Sequence, residues 1–425
     1  MSFLRKVCAA LGALALVAAA LAGAPRALAA EKEVTISHYF TGDLGRDAIT
    51  KIFGAFEKKS GIHVADNPTG HEDFKTAILV MAAGRNLPDV FSYWAGARTQ
   101  FVVDSGALQP IDDLWKSAGL DAVVPASVAQ GATLYGGKRY LVPFGYHYAA
   151  FFYNKKLLAK VGVATPGTWP EFLAACKKLK AAGVVPIALG SKNRWPAQFW
   201  FDYLILRTAG PDYRAKLMAG QASYTDAEVQ AAMKTWKDLV DDGFFAKNPN
   251  ADDWTDAADK VTRGDAGMTL MGTWITGYWD GLKQKAGEDY DFFEFPVMDP
   301  KVPKAAVGPV DGLVLSANAK NPEGAKKLLA FLLTDTASQA AWAKAQGALS
   351  PNEKVDPSGY SPVMRRALGV VSSAKAFAFN YDLATTPPAA EVGLSMFAEF
   401  MNNPADYPQQ LARAQTQVAE IFKKK

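Results

Sequence analysis

Short strand-like runs alternate with amphipathic helical segments along the first hundred residues, and this alternation restricts the chain to an α/β architecture. Residues 33–40, 62–66 and 87–94 are rich in β-branched and aromatic side chains, as strands are. Between them, residues 47–61 and 72–84 carry apolar side chains at helical spacing and each ends on a glycine. This strand–helix–strand succession predicts a mainly parallel sheet flanked by helices.

The same alternation begins again after residue 140. Residues 149–153 resemble a strand, and a helix is predicted over 168–183 because Thr168 and Glu171 form a capping box. A further strand is predicted over 184–190. We therefore expect two α/β lobes of comparable size. Because ligands bind at the carboxyl ends of strands in such folds, two facing lobes would line one cleft.

The first 29 residues have the composition of a secretory signal peptide. A basic pair precedes an apolar run over 7–22, and small residues at 27–29 form a cleavage pattern before Ala30. The apolar run is short for a membrane span. Cys8 lies upstream of the expected cleavage position, so we expect an exported chain without a lipid anchor.

Cysteine content and net charge limit the cellular compartments and the binding partners that are expected for this chain. Cys176 is the one cysteine after residue 29, so no internal disulfide is expected, and its helical position indicates packing. An exported chain without disulfides is typical of a bacterial periplasm. The segment after residue 29 has a net charge of about +1, which argues against nucleic acid or an anionic membrane as the main partner.

No catalytic or metal-binding motif stands out. The four histidines have none of the metal-ligand spacings, and no GxSxG nucleophile motif occurs. Residues 131–138, GATLYGGK, do not have the spacing of a phosphate loop. We expect no enzyme activity, no cofactor and no metal. A polysaccharide-degrading enzyme stays open as an alternative, because two distant carboxylates can be brought together by folding.

Six segments occur along the chain in the order AFEKKSGIHV, LPDVFSYWAG, VPFGYHYAAFFYNKKLL, PGTWPEFLAACKKLKAAGVVPIALG, MTLMGTWITGYW and NPEGAKKLLAFLLTDTASQAAW. In this order they resemble the extracellular solute-binding proteins of family 1, the sugar-binding components of ABC importers that include maltose-binding protein. The match extends over essentially the whole chain after the signal peptide.

The resemblance implies two α/β lobes joined by a hinge that the chain crosses three times. The N-terminal lobe would comprise residues 30–143 and 298–346. The C-terminal lobe would comprise residues 144–297 and 347–425. Several crossings restrain twisting of the lobes but permit hinge closure on a ligand.

The resemblance also implies three tryptophans that stack on a sugar. Trp94 follows the third strand, Trp195 lies in the NRWP segment, and Trp274 lies in MGTWITGYW. From the residues alone, a place in the core is the favoured interpretation of Trp274, because large aromatic side chains are mostly buried.

Four polar residues are implied as hydrogen-bonding partners of the ligand: Asp43, His147, Asn193 and Asp311. His147 occupies a position where the family member has a glutamate, which favours a different sugar. A helix cap or a turn is the competing explanation for Asp43, Asn193 and Asp311, and an interior imidazole is the competing explanation for His147.

The sequence thus predicts a periplasmic, monomeric protein that binds a neutral mono- or oligosaccharide and delivers it to the transmembrane subunits of an ABC permease. One alternative is the same fold with a phosphorylated solute such as a glycerol phosphodiester, for which Arg98 and Arg194 are available. A polyamine would require a ring of acidic residues between the aromatic ones, and the sequence shows no such ring.

Overall fold

The computed structural model describes residues 32–424, so the predicted signal peptide lies outside the described residues. The strands are β1 (Glu33–His38), β2 (His63–Pro68), β3 (Val90–Trp94), β4 (Leu134–Tyr135), β5 (Lys138–Arg139), β6 (Leu141–Tyr146), β7 (Ala149–Asn154), β8 (Val185–Ala188), β9 (Ala266–Gly272), β10 (Tyr290–Phe293), β11 (Ala305–Val307), β12 (Val310–Leu315) and β13 (Ala376–Ala378).

Helices fill most of the chain between these strands. The first nine are α1 (Asp43–Ser60), α2 (His71–Ala83), α3 (Ala97–Asp104), α4 (Asp112–Ser117), α5 (Ala126–Thr133), α6 (Lys155–Val161), α7 (Trp169–Ala181), α8 (Gln198–Thr208) and α9 (Gly210–Met218). The others are α10 (Ala227–Asp241), α11 (Trp254–Arg263), α12 (Trp274–Gly281), α13 (Pro322–Thr334), α14 (Thr336–Gln346), α15 (Pro362–Ser373), α16 (Tyr381–Ala384), α17 (Pro387–Asn402) and α18 (Tyr407–Lys423).

Two sheets organise the fold. The first has the strand order β2-β1-β3-β12-β6 and the second has the order β10-β7-β9-β8. Strands β1, β2 and β3 pair in parallel, but β12 runs antiparallel to β3 and β6. In the second sheet, only β8 and β9 pair in parallel. The predicted α/β class is confirmed, with more mixed pairing than a mainly parallel sheet.

The two sheets are joined by short connections. Two residues, His147 and Tyr148, separate β6 of the first sheet from β7 of the second. The chain returns from β10 to β12 through residues 294–309 and leaves the first sheet again near Gly347. These connections join strands of different sheets and therefore bring the ends of the two sheets together.

Separate buried clusters of side chains pack against the two sheets. The cluster beside the second sheet contains Phe151, Phe172, Trp200, Trp236 and other fully buried aromatic residues. Cys176 belongs to this cluster, and burial raises the pKa of its thiol, so its predicted role in packing is confirmed. The first sheet is covered by two clusters, one on α1 and α13 and one on α2 and α3. The predicted lobe boundaries stay a prediction.

Gly96 lies at a close approach between the two halves of the structure. It follows β3 and has a φ of 102°. A Cβ atom added there would lie 2.4 Å from the carbonyl oxygen of Leu383, which is far inside van der Waals contact. A side chain at this position would therefore be strained by the backbone and would also push residue 383 away.

We expect Gly96→Ala to lower the free energy of unfolding by about 2–4 kcal/mol, because the strained φ and the contact with Leu383 both oppose the methyl group. Gly106→Ala is the matched control. Gly106 has a φ of 73° but nothing within 4 Å of an added Cβ, so only the conformational cost of about 1–2 kcal/mol applies. Urea unfolding of both variants measures the difference, and equal losses would show that the approach to Leu383 is unimportant.

Candidate functional site

A cleft of about 400 Å³ lies where the carboxyl ends of β1, β2 and β3 face those of β8 and β9. The first sheet and its loops contribute Tyr39, Phe40, Thr41, Gly42, His71, Glu72, Lys75, Trp94, Pro309 and Asp311. The remaining lining residues are His147, Asn193, Trp195, Gln198, Phe199, Asp253, Trp254, Trp274, Gln346, Asn380, Asp382 and Leu383.

Six of the seven residues that the sequence singled out line this cleft, namely Trp94, His147, Asn193, Trp195, Trp274 and Asp311. Asp43 is not among them. It is exposed at the first position of α1, where a carboxylate stabilises the positive end of the helix dipole, although Thr41 and Gly42 beside it do face the cleft. The structure therefore separates Asp43 from the other six.

Trp274 is half-buried at the start of α12, and one face of its indole lies against Gly272. A Cβ atom on Gly272 would lie 2.0 Å from Cζ3 of the indole, so only glycine leaves room for the ring. His147 and Trp195 contact Trp274 at interplanar angles of 77° and 66°. Phe199 is tilted against Trp274 at 41° with a centroid distance of 6.0 Å, and the half-buried indole lines the cleft.

Trp94 has a different environment. Tyr39 stacks on it with a centroid distance of 4.4 Å and an interplanar angle of 13°. The guanidinium of Arg98 lies 5.6 Å from the ring centroid, and only 5% of Trp94 is exposed. Because these contacts occupy the indole, Trp94 forms a rigid wall of the cleft and offers little free face.

Trp195 connects the two sides of the cleft. It follows β8 of the second sheet, and its Nε1 donates a hydrogen bond of 3.0 Å to Oε1 of Glu72, which follows β2 of the first sheet. The ammonium of Lys75 lies 5.9 Å from the indole centroid. The two halves of the protein thus touch across the cleft through an indole and a carboxylate.

The charge of Glu72 is held by its neighbours. Lys75 Nζ donates to its carboxylate at 3.1 Å, and His71 Nδ1 lies 2.8 Å from Oε1. Burial alone would raise the pKa of Glu72, but these partners outweigh burial and lower the pKa to about 2. Burial lowers the pKa of His71, whose ring packs edge-on against Tyr39 and Trp94. At neutral pH the group formed by Glu72, Lys75 and His71 therefore contains one anion, one cation and a neutral imidazole.

His147 and Asp311 form a buried pair at the crossings between the sheets. His147 Nε2 lies 3.1 Å from Asp311 Oδ2, and the Tyr39 hydroxyl donates to Asp311 Oδ1 at 2.7 Å. The other imidazole nitrogen faces the Thr273 hydroxyl at 3.1 Å and the Gly347 carbonyl at 3.2 Å. Burial, reinforced by Asp311, raises the pKa of Tyr39 well above its ordinary value, so its hydroxyl stays a donor.

Asn193 is bonded within the protein. Its Nδ2 donates to Asp253 Oδ2 at 3.0 Å, and Asp253 in turn caps the N-terminus of α11. The amide oxygen of Asn193 remains as its acceptor toward the cleft. The hydrogen bond that holds Asn193 within the protein therefore does not prevent this residue from contacting a ligand.

Several lining residues were not singled out from the sequence, namely Tyr39, His71, Glu72, Lys75, Gln198 and Asn380. Tyr39 directly follows β1, and the next three lie in the first two turns of α2, which follows β2. The rule that ligands bind beyond the carboxyl ends of strands would have indicated these four. Gln198 follows no strand end directly, and Asn380 lies two residues after the short strand β13, which the sequence analysis did not predict.

The model of the bacterial extracellular solute-binding proteins matches residues 42–339, which is more than half of the chain. The chain belongs to this family. Its members bind and present solutes and are not enzymes, which agrees with the expectation drawn from the missing catalytic motifs. Proteins of this family are extracellular or periplasmic. No helix among residues 32–424 is long and apolar enough to cross a membrane.

Two relatives illustrate the similarity in sequence. An ABC transporter extracellular-binding protein of Pyrococcus horikoshii is 29% identical over 355 residues, which is 81% of this chain and 77% of that protein. A probable sugar-binding periplasmic protein of Mesorhizobium japonicum is 31% identical over 277 residues, which is 64% of this chain and 65% of that protein.

Solved structures share the two-lobed fold. The bacterial solute receptor AcbH, described as having an exclusive preference for β-D-galactopyranose, has a TM-score of 0.86 at 26% identity and covers 92% of this chain and 100% of its own. A chitin oligosaccharide binding protein has a TM-score of 0.82 at 23% identity, covering 92% and 99%. The family assignment and the two-lobed α/β fold expected from the sequence are thus confirmed.

The lowered pKa of His71 predicts a pH dependence of this solute-binding protein. The unfolded chain binds a proton at the ordinary pKa of 6.5, whereas the folded protein resists protonation because packing against Tyr39 and Trp94 desolvates the charged ring and Lys75 repels it. Stability should therefore fall as the pH drops through 6.5 toward the lower folded pKa. We expect His71→Gln to lose less stability than the wild type between pH 8 and pH 5 in thermal melts.

The exposed His63 provides the control for this measurement. His63→Gln should keep the wild-type fall in melting temperature, because its side chain is accessible to water in the folded protein. If His71→Gln follows the wild-type curve, burial of this imidazole contributes nothing to the pH dependence.

Proposed function

We propose that this protein binds a neutral mono- or oligosaccharide in the cleft between its lobes and delivers it to the transmembrane subunits of an ABC permease. The observation that carries the proposal is the composition of the cleft. Four indoles, those of Trp94, Trp195, Trp254 and Trp274, line it together with carboxylates, amides and two imidazoles. An apolar wall with a few fixed polar groups is the usual form of a small-molecule site.

A pyranose ring fits such a lining for a chemical reason. Its C–H bonds form a flat apolar face, and its hydroxyls form a polar rim. The indole of Trp274 can cover the apolar face of the sugar. Asp311, His147 and Asn193 can form hydrogen bonds with its hydroxyls. Hydrogen bonds to charged groups are about twice as strong as those between neutral groups, so the carboxylate would dominate the polar recognition.

The relatives support a saccharide in particular. The Mesorhizobium japonicum protein is named as sugar-binding, and AcbH is described by its preference for β-D-galactopyranose. Asp43, which the resemblance suggested as a further contact, stays a prediction, because in the described conformation it lies outside the cleft lining.

The remaining features belong to the same proposal. Residues 1–29 would be removed as a signal peptide without lipidation, and the lobes would comprise 30–143 with 298–346 and 144–297 with 347–425. The mature protein would act as a monomer, with no nucleic acid among its partners. A ligand that contacts both lobes would favour the closed form, because only a differential affinity shifts such an equilibrium.

The charges in the cleft argue against a phosphorylated solute. Four carboxylates line it, whereas Lys75 is the one lysine or arginine among the lining residues described. Arg194 is bonded to Glu391 at 2.8 Å, and Arg98 lies over Trp94. An anionic ligand would therefore meet repulsion without a free cation to bind it.

The carboxylates between the aromatic residues resemble the arrangement that a polyamine would require, but most of them are already bonded. Glu72 is paired with Lys75, Asp311 with His147, and Asp253 with a helix terminus. Spermidine is accordingly included in the experiment below as the alternative cationic ligand.

The proposal predicts thermal stabilisation by neutral sugars. We would test D-galactose, D-glucose, maltose and N,N′-diacetylchitobiose against glycerophosphocholine and spermidine. A ligand at 100 times its dissociation constant adds about 2.7 kcal/mol to the free energy of unfolding. Stabilisation by a sugar that is recovered chemically unchanged supports the proposal. Stabilisation by glycerophosphocholine or spermidine alone would contradict it.

Substitution of two half-buried tryptophans separates the cleft from the core. Trp274→Ala should abolish the sugar-induced shift, because the indole that lines the cleft is lost. Trp169→Ala should keep the shift, because Trp169 packs on Phe172 and Phe295 in the second lobe and does not line the cleft. Both variants should remain folded. A normal sugar shift in Trp274→Ala would remove the stacking contact from the proposal.

A further inference from the structure

The segment 379–383 is held between the two halves of the protein. Phe379 and Leu383 pack on the cluster beside the first sheet, whereas Tyr381 is fully buried in the cluster beside the second sheet. Asn380 and Asp382, the residues between them, line the cleft. Asn380 and Asp382 are thus the polar residues that this segment presents to the cleft, beside the apolar Leu383.

Hydrogen bonds to the backbone hold the segment in place. The amide of Tyr381 donates to Asp202 Oδ2, and the amide of Asp382 donates to Gln198 Oε1, both at 2.8 Å. Arg214 donates to the Phe379 carbonyl at 2.8 Å. The side chains that face the cleft are therefore carried by a rigid support, as a specific binding site requires.

Asp382 has the largest unused acceptor capacity among the four carboxylates of the cleft. It accepts one hydrogen bond from a side chain, from Asn380 Nδ2 at 2.6 Å, and forms no ion pair within residues 32–424. Glu72, Asp253 and Asp311 each have two or more partners. A carboxylate offers about four lone-pair sites, so Asp382 can accept further donors.

Asn380 shows the same shortage of donors. Its amide nitrogen must face Asp382, because a carboxylate accepts and does not donate. Its Oδ1 is then buried and has no donor in the part of the chain that the structure describes. An unsatisfied buried acceptor costs about 1–3 kcal/mol, a cost that accompanies the hydrogen bond by which the Asn380 amide holds the Asp382 carboxylate.

Resting on the proposed function, we infer that Asp382 determines specificity by accepting two neighbouring hydroxyls of the saccharide, and that Asn380 is a positioning residue that orients its carboxylate. A carboxylate bonds two adjacent hydroxyls well, because its two oxygens lie side by side. A derivative that lacks one of these hydroxyls would leave part of a desolvated carboxylate unsatisfied and would bind more weakly.

The test uses monodeoxy derivatives of whichever sugar in the panel above binds most tightly. In the wild type, calorimetry should show that loss of one hydroxyl at two neighbouring positions weakens binding roughly 10- to 100-fold, as for hydrogen bonds to a charged group. In Asp382→Asn the parent sugar should weaken, and the difference between parent and deoxy derivative at those positions should largely disappear. Asp356→Asn, at an exposed turn, should behave as the wild type.

Asn380→Ala is the second variant, because Asn380 makes no side-chain capping bond that the fold would lose. It should reduce the discrimination at the same hydroxyls while its apo melting temperature stays near that of the wild type. A uniform loss of affinity for the parent and every derivative would assign both residues to structure and overturn the inference. Wild-type protein that binds no sugar would instead defeat the proposed function, and this inference with it.

Discussion

The short crossings between the two sheets are the constraint on which the rest of the structure depends. Only His147 and Tyr148 separate β6 from β7, so the ends of the two sheets must lie close together. The His147 imidazole then joins this crossing to Asp311 after the second crossing and to the Gly347 carbonyl at the third. Because His147 contacts all three connections, the connections between the sheets and the floor of the cleft share the same group of side chains.

From this arrangement follows a cleft whose polar groups are largely fixed before a ligand arrives. Asp311 is held by Tyr39 and His147, and Glu72 by its ion pair with Lys75. Fixed groups need little reorganisation on binding, which reduces the entropic cost of forming a complex. Asp382 differs because its carboxylate accepts a single side-chain hydrogen bond, from Asn380, and can accept others. The cleft thus combines rigid walls with one site of unmet hydrogen bonding.

The sequence predicted the elements well and the site in part. The alternating segments and the capping box at Thr168 correspond to strands and helices, because period and capping are local properties. Six of the predicted contacts meet in one cleft, since they follow strand ends or motifs of the family. Asp43 was expected with them but lies on the exposed side of α1, where one helical position changes the direction of a side chain by about 100°.

By itself, the sequence determined the two α/β units, the family and the types of side chain available for a sugar. Only the tertiary structure decided how these side chains are used: that Tyr39 covers Trp94, that Gly272 leaves room for Trp274, and that Asp382 keeps free acceptors. The physical reason is that the free face of a ring, or the free lone pair of a carboxylate, depends on neighbours far away in sequence. Packing of distant segments selects those neighbours, and no local pattern contains them.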